Sequence, residues 1–520
     1  IPYQLRTDSI LHAQCSARCL HLLPIVYKQN VWKEPDFSNC SYIFSFLQAL
    51  QAKLITMLPS RCYRRLCHHW LGLGTPHSIA THRVYISRNV HNLKDRGLVS
   101  QVFPHIDESK WCDLVEKSHS AFCGFDPTFD SLHMGHLIPI IVMMHFQQKG
   151  ITPIALVGDV TARIGDPSGR SSERDPIEEE TVARNANGVE HNLRRIFDNY
   201  KMNYHDDDRL PELLLVRNSS WYRGLDVATF LGTIGREFRL EQMLRRKSVH
   251  QRLSGSDGMN VAEFKYQIFQ AYDWLQLYTQ YKCGIQIGGQ DQIDNIEGGR
   301  DLIKRQCGED VYGFITPLLT VEFGDKYGKT GGSPVWLSPE RTSCYELYQF
   351  LLRMSDLMAE HVIKLLSLSC YDELEDLVVM HRKCPEKRLC QEKVAKDVTT
   401  LVHGRDGLKL AIKATDLLFG NNLDVLYELT IEEFRSIFTG TAYVEIPRDI
   451  LKADTSLTAL AMQAKLFSTE ADARRIISAG GLYINMKRTL TSSIPDNIEL
   501  PAGITLARVG KKNYTLIKWV

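Results

Sequence analysis

The chain has 520 residues, of which 24% are charged and 44% are hydrophobic, and its formal net charge is +1. This length predicts about three domains of ~100–200 residues each, and the near-neutral charge means that a nucleic-acid partner must be met by local basic patches. The 13 cysteines include no CxxC pair, which argues against a zinc ribbon and a disulfide framework and indicates a reducing compartment. No run approaches ~18 consecutive apolar residues, so no membrane span is expected.

Residues 1–90 are predicted to be a non-structural extension. Between Met57, the first methionine, and Lys94 there is no acidic residue, while arginines are scattered among Ser, Leu and His. Such a segment is typical of a mitochondrial transit peptide. The alternatives are a basic arm that binds nucleic acid and a loose metal cluster at Cys62, Cys67, His68 and His69.

From about residue 91 onward, strand-like and helix-like segments alternate. The strand-like runs are Ile154–Val157 and Leu213–Val216, and the helical patterns are Leu137–Phe146, Ile177–Tyr200 and Leu225–Met243. Alternation of this kind predicts an α/β fold with a largely parallel sheet. Ligands of such sheets bind at the carboxyl ends of the strands.

A phosphate site is predicted where Phe122–His136 passes from an apolar run through Pro127 into a helix. Unpaired backbone N–H groups and the helix dipole face a ligand at such a place. His133 and His136 fall on one face of the first turn, and Gly135 between them leaves room for a bound group. Two neutral imidazole donors suit the charge that develops on a phosphate oxygen in a transition state.

Two other segments place polar groups in apolar surroundings. Tyr266, Gln270 and Asp273 are spaced i, i+4 and i+7, so they share one helix face. That face is either a pocket wall or a satisfied core network. After the strand-like run at Gln286, a glycine turn leads to Asp291, where ribose hydroxyls are often bound.

Two loops carry cations that could neutralise phosphates. Arg170 and Arg174 belong to a Gly- and Pro-containing loop and offer planar donors, and Lys326 and Lys329 lie three apart in a Gly-rich loop. Taken alone, the arginine loop is better explained as an ordinary surface loop, and lysines are common in exposed Gly-rich loops.

Taken in this order, the segments resemble the class I tyrosyl-tRNA synthetases of the bacterial and mitochondrial type over about residues 91–520. The HIGH motif of that family matches Pro127–His136, and its KMSKS motif matches Lys326–Thr330. The tyrosine-pocket helix matches Tyr266, Gln270 and Asp273, and the GDPSG loop matches Asp166–Gly169.

The resemblance implies a role for each matching residue. Asp273 would bind the phenolic hydroxyl of tyrosine at a pocket that includes Phe122. The rest of the tyrosine site would be Asp166, Tyr266, Gln270, Gln286 and Gln292. ATP would contact Cys123, Asp126, His133, His136, Gly289, Asp291 and Lys329. Leaving pyrophosphate would be stabilised by Thr128, His133, His136, Lys326, Lys329, Thr330, Arg170 and Arg174.

The resemblance also implies the architecture and the partners. A Rossmann-like parallel-sheet catalytic domain with a dimerisation insertion (91–340) would be followed by an α-helical anticodon-side domain (341–445) and a small α+β S4-like RNA-binding domain (455–520). The substrates would be L-tyrosine, ATP with Mg2+, and tRNA(Tyr), without a protein-bound metal. The expected assembly is a homodimer joined through residues 200–260, and the expected location is the mitochondrial matrix.

Three residues depart from the family pattern. Phe122 stands where the family usually has a tyrosine whose hydroxyl also meets the substrate phenol, so discrimination against phenylalanine would depend mainly on Asp273. Pro139 lies in the first turn of the motif helix, where its missing N–H is tolerated. Asp159 replaces a glycine beside a strand end.

The last third of the chain divides into two parts by pattern. The helical segments are Tyr345–Leu352, His361–Leu368, Leu374–Met380, Val394–Val402 and Leu408–Leu418, with a stop at Gly404. Residues 455–520 contain nine Lys and Arg against four Asp and Glu, a local net charge of +5. Because positive charge is clustered there, Arg474 and Arg475 are the predicted RNA contacts.

Two alternatives have other functions. An RNA-binding protein could keep the synthetase fold mainly to support RNA structure, but the complete catalytic set favours the enzyme. A tryptophan-specific relative fits less well, because Asp273 and the GDPSG-type loop suit a phenol better than an indole.

Overall fold

The structure is a computed structural model that describes residues 92–520 apart from 108–109, 171, 205–209, 256–257, 320–328, 331–332, 420–421, 439–440, 453–454, 492 and 511–512. Lys329, Thr330 and Ser333 are described only by their backbone. The predicted N-terminal extension, Lys326 and the side chains of Lys329 and Thr330 therefore lie outside the described residues.

A six-stranded sheet forms the centre of the first part of the chain, as the alternating pattern predicts. Its strands are β1 (Gln101–Phe103), β2 (Ser120–Phe125), β3 (Thr152–Val157), β4 (Leu214–Arg217), β5 (Cys283–Gly289) and β6 (Tyr312–Thr316). Their order across the sheet is β1-β6-β5-β2-β3-β4, and only β1 is antiparallel to its neighbour. The central strands are almost continuously apolar because helices cover both faces of the sheet.

Helices connect these strands. They are α1 (Trp111–Lys117), α2 (Leu137–Gln147), α3 (Thr161–Ile164), α4 (Glu179–Tyr204), α5 (Ser219–Tyr222), α6 (Val227–Thr233), α7 (Leu240–Leu244), α8 (Lys247–Leu253), α9 (Val261–Tyr281) and α10 (Ile293–Cys307). The prediction of one helix over Leu225–Met243 is wrong. A 3-10 turn at Ile234–Glu237 and an extended Phe238 and Arg239 break it into short pieces, and Gly232 and Gly235 weaken the helix there.

The next part of the chain is helical, as its pattern predicts. After the short strands β7 (Lys329–Thr330) and β8 (Ser333–Pro334) come α11 (Cys344–Leu352), α12 (Asp356–Leu366), α13 (Tyr371–Lys383), α14 (Leu389–Phe419), α15 (Val425–Glu428) and α16 (Ile431–Ile437). The predicted stop at Gly404 is confirmed, because its φ of 75° and ψ of 178° interrupt α14.

A second, five-stranded sheet contains the C-terminal residues. Its strands are β9 (Ala442–Ile446), β10 (Leu482–Ile484), β11 (Lys487–Arg488), β12 (Ile504–Val509) and β13 (Asn513–Trp519), and they accompany α17 (Asp449–Lys452), α18 (Leu457–Gln463) and α19 (Glu470–Ser478). The strand order is β11-β10-β12-β13-β9. Because β9 pairs with β13, the sheet takes its first strand from residues before 455.

The largest apolar core joins the parallel sheet to the helical part. Helix α2 is buried from Leu137 to Phe146 apart from Pro139, and its cluster includes Val362 and Val398 of the helical part. This packing places the start of α2 at the carboxyl end of β2. Because β3 and β5 flank β2 on opposite sides, a ligand crevice is expected at that edge. Within the described residues, no helix has the length and apolar character that crossing a membrane requires.

Candidate active site

The signature loop, residues 126–136, leads from the end of β2 into α2. Met134–His136 form one 3-10 turn, and His133 and His136 each close a reciprocal cap with the backbone. Nδ1 of His133 accepts from the Gly135 N–H at 3.1 Å, and Nδ1 of His136 accepts from the His133 N–H at 3.1 Å. Since both Nδ1 atoms accept, Nε2 is the nitrogen that carries a proton on each ring.

The two imidazoles are adjacent, with ring centroids 4.0 Å apart. Desolvation, with the neighbouring His133, lowers the pKa of His136 to about 3, so this ring is neutral at physiological pH. For His136, this neutral state fits the neutral imidazole donor that the sequence predicts at this turn. The sequence predicts that Gly135 leaves room for a bound group. In the structure the imidazole of His133 takes this space, because a Cβ built on Gly135 would lie 3.0 Å from Cε1 of His133.

Three carboxylates gather at the carboxyl edge of the sheet. Asp126 follows β2, Asp166 belongs to the GDPSG loop, and Asp273 lies on α9, where it is 3% exposed. Desolvation raises the pKa of Asp126 to about 6 and that of Asp273 to about 7, and it also raises the pKa of Asp166. Proximity of Asp126 to the other two carboxylates adds to these shifts. Such a cluster favours binding of a cation, which would stabilise the ionised forms.

Asp126 and Tyr266 are joined directly. The Tyr266 hydroxyl donates to Oδ2 of Asp126 at 2.7 Å, and the Thr161 hydroxyl donates to Oδ1 at 2.7 Å. A Cβ on Gly158 would lie 2.0 Å from that Oδ1, so only glycine allows β3 to end so close to Asp126. The structure therefore places Asp126 with Tyr266 of the predicted tyrosine site.

Asp166 is bound by its own loop and by the residues after β5. Its Oδ1 accepts from the Ser168 N–H at 3.0 Å, and its Oδ2 accepts from the Gln292 amide at 2.7 Å. Asn295 in turn donates to Gln292 at 3.2 Å. The amide of Gln292, which the resemblance assigns to the tyrosine site, is thus oriented by Asp166.

Asp273 is oriented by residues that follow β4. Nδ2 of Asn218 donates to Oδ2 at 3.1 Å, and Nε1 of Trp221 donates to Oδ1 at 2.8 Å. Asp159 accepts from the N–H and hydroxyl of Ser219 at 3.0 and 2.7 Å. The departure at Asp159 therefore supports the turn that carries the partners of Asp273.

Sequence reasoning missed Asn218, Trp221 and Thr161. The signal was present for Asn218 and Trp221, because they follow directly after the predicted strand Leu213–Val216, at the edge where ligands of parallel sheets bind. Thr161 gave no such signal, because it opens a one-turn helix after β3.

Phe122 and Gln286 lie beside each other on β2 and β5. Phe122 is buried against Trp274, with ring centroids 5.9 Å apart. Gln286 is also buried, and its Oε1 has no hydrogen-bond partner. A buried amide oxygen without a partner costs free energy, which a donor on a bound ligand would offset. Gln270 is half-buried on the same helix as Asp273.

The nucleotide end of the predicted site is formed by turns. Asp291 is exposed after β5, and its carboxylate lies 2.6 Å from a Cβ built on Gly289 and 3.5 Å from one built on Gly169. The loops after β3 and β5 therefore meet at Asp291. Cys123 is buried in β2, and desolvation raises the pKa of its thiol to about 12, so it is no nucleophile.

The cations of the predicted site are only partly described. The Arg174 Nε lies 3.5 Å from the carbonyl of Asp166, and desolvation together with Arg174 lowers the pKa of Arg170. Thr128 is half-buried in the signature loop. The side chains of Lys326, Lys329 and Thr330 are not among the described residues, so their placement stays a prediction. The described residues contain no group of three or more His, Cys, Asp or Glu that could bind a metal.

In the C-terminal sheet, the two predicted RNA contacts are exposed and paired within α19. Arg474 forms an ion pair with Glu470, and Arg475 forms one with Asp472 at 2.9 Å. Exposed pairs of this kind are weak, so a phosphate could replace the carboxylates. Arg508, which sequence reasoning did not select, lies 3.9 Å above the ring of Tyr483.

Comparison with known proteins agrees with this geometry. The sequence model of the family described as "tRNA synthetases class I (W and Y)" matches residues 115–420. The chain is 42% identical to the mitochondrial tyrosine–tRNA ligase of Drosophila melanogaster, over 84% of this chain and 96% of that protein. It is 36% identical to the human mitochondrial tyrosine–tRNA ligase, over 82% and 91%, and 35% identical to the tyrosine–tRNA ligase of Bacteroides fragilis, over 82% and 99%.

A solved structure shows the same fold. The crystal structure of a C-terminally truncated Aspergillus nidulans mitochondrial tyrosyl-tRNA synthetase is 26% identical, with a TM-score of 0.57, and covers 66% of this chain and 100% of that chain. The predicted α/β class is thereby confirmed. The chain belongs to the class I tRNA synthetases for tryptophan and tyrosine, and within them to the tyrosine–tRNA ligases of the bacterial and mitochondrial type.

Proposed function

We propose that the chain activates L-tyrosine with Mg2+-ATP to tyrosyl-adenylate and transfers the tyrosyl group to the 3′ end of tRNA(Tyr) in the mitochondrial matrix. The observation that carries the proposal is the arrangement of Asp126, Asp166 and Asp273. Near the start of α9, Asp126 accepts from Tyr266, and Asp166 accepts from Gln292. Further along this helix, Asp273 accepts from Asn218 and Trp221. Such a site suits a cationic amino group at one end and a hydroxyl donor at the other.

The amino group of tyrosine binds beside Asp126 and Asp166, two carboxylates whose charged forms are costly because they are desolvated. An ammonium beside Asp126 and Asp166 stabilises their ionised forms, and so offsets the desolvation that raises their pKa values. Gln292, bound to Asp166, then lies beside the substrate carboxylate. The resemblance implies this role, and the hydrogen bond from Nε2 of Gln292 to Oδ2 of Asp166 holds the amide beside the proposed ammonium site.

The phenolic hydroxyl donates to Asp273. With donors from Asn218 and Trp221 already in place, a remaining lone pair of the carboxylate accepts the phenol. Phenylalanine would leave this buried lone pair of Asp273 without a donor, which costs free energy. Phe122 adds no hydroxyl of its own, so selectivity depends on Asp273.

Activation needs positioning and charge neutralisation, because the substrate carboxylate is itself the nucleophile. It attacks the α-phosphate of ATP, and pyrophosphate leaves. The Nε2–H donors of His133 and His136 stabilise charge on the phosphates, and Arg170 and Arg174 add positive charge. Mg2+ enters with ATP as part of the substrate.

The transfer step requires RNA binding at a distance from this site. Arg474, Arg475 and the stacked pair Arg508–Tyr483 give the C-terminal sheet phosphate-binding groups. A homodimer is supported by large apolar side chains that are exposed from the end of β4 to the first residue of α9: Val227, Leu231, Leu240, Leu244, Leu253 and Val261. An apolar surface of this kind marks an interaction site.

The test is ATP–pyrophosphate exchange by the full chain with each of the twenty amino acids, followed by charging of a tRNA(Tyr) transcript. We expect exchange with tyrosine and formation of tyrosyl-tRNA. Exchange with tryptophan in place of tyrosine would refute the substrate. The absence of any exchange, from folded protein that still binds RNA, would refute the activity and favour a role in RNA structure.

A further inference from the structure

An aromatic platform borders the signature loop on its outer side. Phe129 is 55% exposed, although it is a large apolar side chain in the middle of the loop. Its ring contacts Trp336, with centroids 5.2 Å apart, and the guanidinium of Arg341 lies 4.9 Å from the centroid of the Trp336 ring. Arg341 is itself oriented by Asp130, at 2.6 Å. The platform therefore consists of Phe129 backed by Trp336 and Arg341.

The loop that presents Phe129 is rigidly attached to helix α4. Asn185 donates to the carbonyl of Pro127 at 3.1 Å, and the Asn192 side chain accepts from the Ser131 hydroxyl at 3.0 Å. Between them on α4, Gly188 lies so close that a Cβ would be 2.0 Å from the carbonyl oxygen of Asp130. An exposed phenylalanine on a rigid support presents its face without an ordering cost on binding.

The platform is also continuous with the catalytic histidines. Trp336 pairs with His133 in an antiparallel bridge, and their ring centroids are 6.3 Å apart. Transfer brings a ribose hydroxyl from solution to the adenylate beside His133. A chain of nucleotides that reaches this centre must cross its border, and the platform forms part of that border.

We propose that Phe129 stacks an unpaired base of the 3′ end of the tRNA during transfer, with Trp336 and Arg341 as its support. The proposal rests on the function proposed above. Every nucleobase has a π-face, and aromatic rings with a neighbouring arginine are the usual platform for single-stranded nucleic acid. Phe129 is a binding residue for the second step and takes no part in the first.

The experiment compares Phe129→Ala with the unchanged full chain in both steps. Loss of one stacked base weakens binding by about tenfold or more. We therefore expect transfer from preformed tyrosyl-adenylate to fall by about tenfold at subsaturating tRNA, while ATP–pyrophosphate exchange with tyrosine stays within about twofold. Phe129→Trp should retain transfer, because it keeps an aromatic face, whereas Phe129→Leu should lose it.

A double-mutant cycle, which combines a substitution in the protein with a truncation of the tRNA, tests whether the loss of binding comes from the 3′ end. The dissociation constants of the unchanged chain and of Phe129→Ala are measured with a full tRNA(Tyr) transcript and with one that lacks the last three nucleotides. We expect truncation to weaken binding to the unchanged chain and to have no further effect on Phe129→Ala. Phe419→Ala is the control, because Phe419 is similarly exposed, at 61%, at the end of α14. Truncation of the tRNA should weaken its binding to Phe419→Ala as much as its binding to the unchanged chain.

Three results would overturn the proposal. Equal binding of both transcripts to the unchanged chain would show that the 3′ end makes no such contact. Additive effects of the truncation and Phe129→Ala would place the contact elsewhere on the RNA. Loss of exchange together with transfer in Phe129→Ala would show that the ring supports the signature loop instead. Failure of the proposed function is distinguishable, because the unchanged chain would then lack tyrosine-dependent exchange.

Discussion

Replacing Asp273 by asparagine separates the cost of burying this carboxylate from its value to the substrate. Its pKa is raised to about 7 in the folded chain, mainly by desolvation, whereas an unfolded aspartate has a pKa of about 3.9. A raised pKa means that the folded state binds the proton more tightly. The stability that this proton confers is therefore fully present below pH ~4 and is lost as the pH rises through about 7.

The size of the effect follows from these two pKa values. Between pH 5 and pH 8, loss of this proton from the folded state corresponds to about two pKa units. Deprotonation of Asp273 therefore lowers the free energy of unfolding by roughly 2–3 kcal/mol over this interval. Asparagine does not titrate and escapes this loss. Independently of pH, asparagine offers one oxygen where Asn218 and Trp221 now meet two, which costs about 1–3 kcal/mol.

Thermal unfolding at pH 5 and pH 8 is the assay. We expect Asp273→Asn to unfold at a lower temperature than the unchanged chain at pH 5, and the gap to close or reverse at pH 8. At about 2–4 °C per kcal/mol for a domain of this size, the difference in midpoint should move by roughly 4–12 °C. Exchange activity with tyrosine should be severely reduced at both pH values.

Trp221→Phe provides a control of opposite sign. The indole donates to Asp273 at 2.8 Å, and this hydrogen bond favours the ionised carboxylate. Its removal should therefore destabilise the chain more at pH 8 than at pH 5, whereas the packing lost with the indole is independent of pH. Midpoint differences that are the same at both pH values, for either variant, would refute the argument that desolvation of Asp273 controls this part of the stability.

Three other changes test separate parts of the structure. Phe122→Tyr should improve the preference for tyrosine over phenylalanine in pyrophosphate exchange by about fivefold to tenfold, since one added hydrogen bond is worth about 1 kcal/mol; unchanged selectivity would contradict the role given to this position. Gly188→Ala should destabilise the chain by about 1–3 kcal/mol in thermal unfolding, because its Cβ would collide with the Asp130 carbonyl, whereas Gly232→Ala, with no atom within 4 Å of the added Cβ, should be neutral or stabilising. Arg252→Met should lower the unfolding midpoint by the equivalent of about 3–5 kcal/mol, because it leaves the buried Glu263 carboxylate without its 2.8 Å partner; Arg252→Met combined with Glu263→Leu should recover most of the loss.

Local pattern was enough to predict most of the long helices, the central strands β2 to β5 and the order of the motifs. The helices that contain His145, Tyr266 and Val398 and the stop at Gly404 all lie where their periodicity and glycines predict them. Helical and strand periodicities are properties of short windows, so they can be recognised without the rest of the chain. The interrupted segment after Leu225 shows the limit, because an apolar helical period does not reveal where a chain bends to pack against α9.

The sequence by itself thus determined the family, the sheet class and the set of residues that could carry the chemistry. Only the tertiary structure decided their partners: Tyr266 with Asp126, which is 140 positions away, Trp221 with Asp273, and Phe129 with Trp336. It also decided the protonation of the site, because desolvation by the surrounding elements raises the pKa values of the three carboxylates and lowers that of His136. The physical reason is that periodicity indicates which face of an element is buried, whereas the identity of the groups that meet across that face depends on the packing of distant segments.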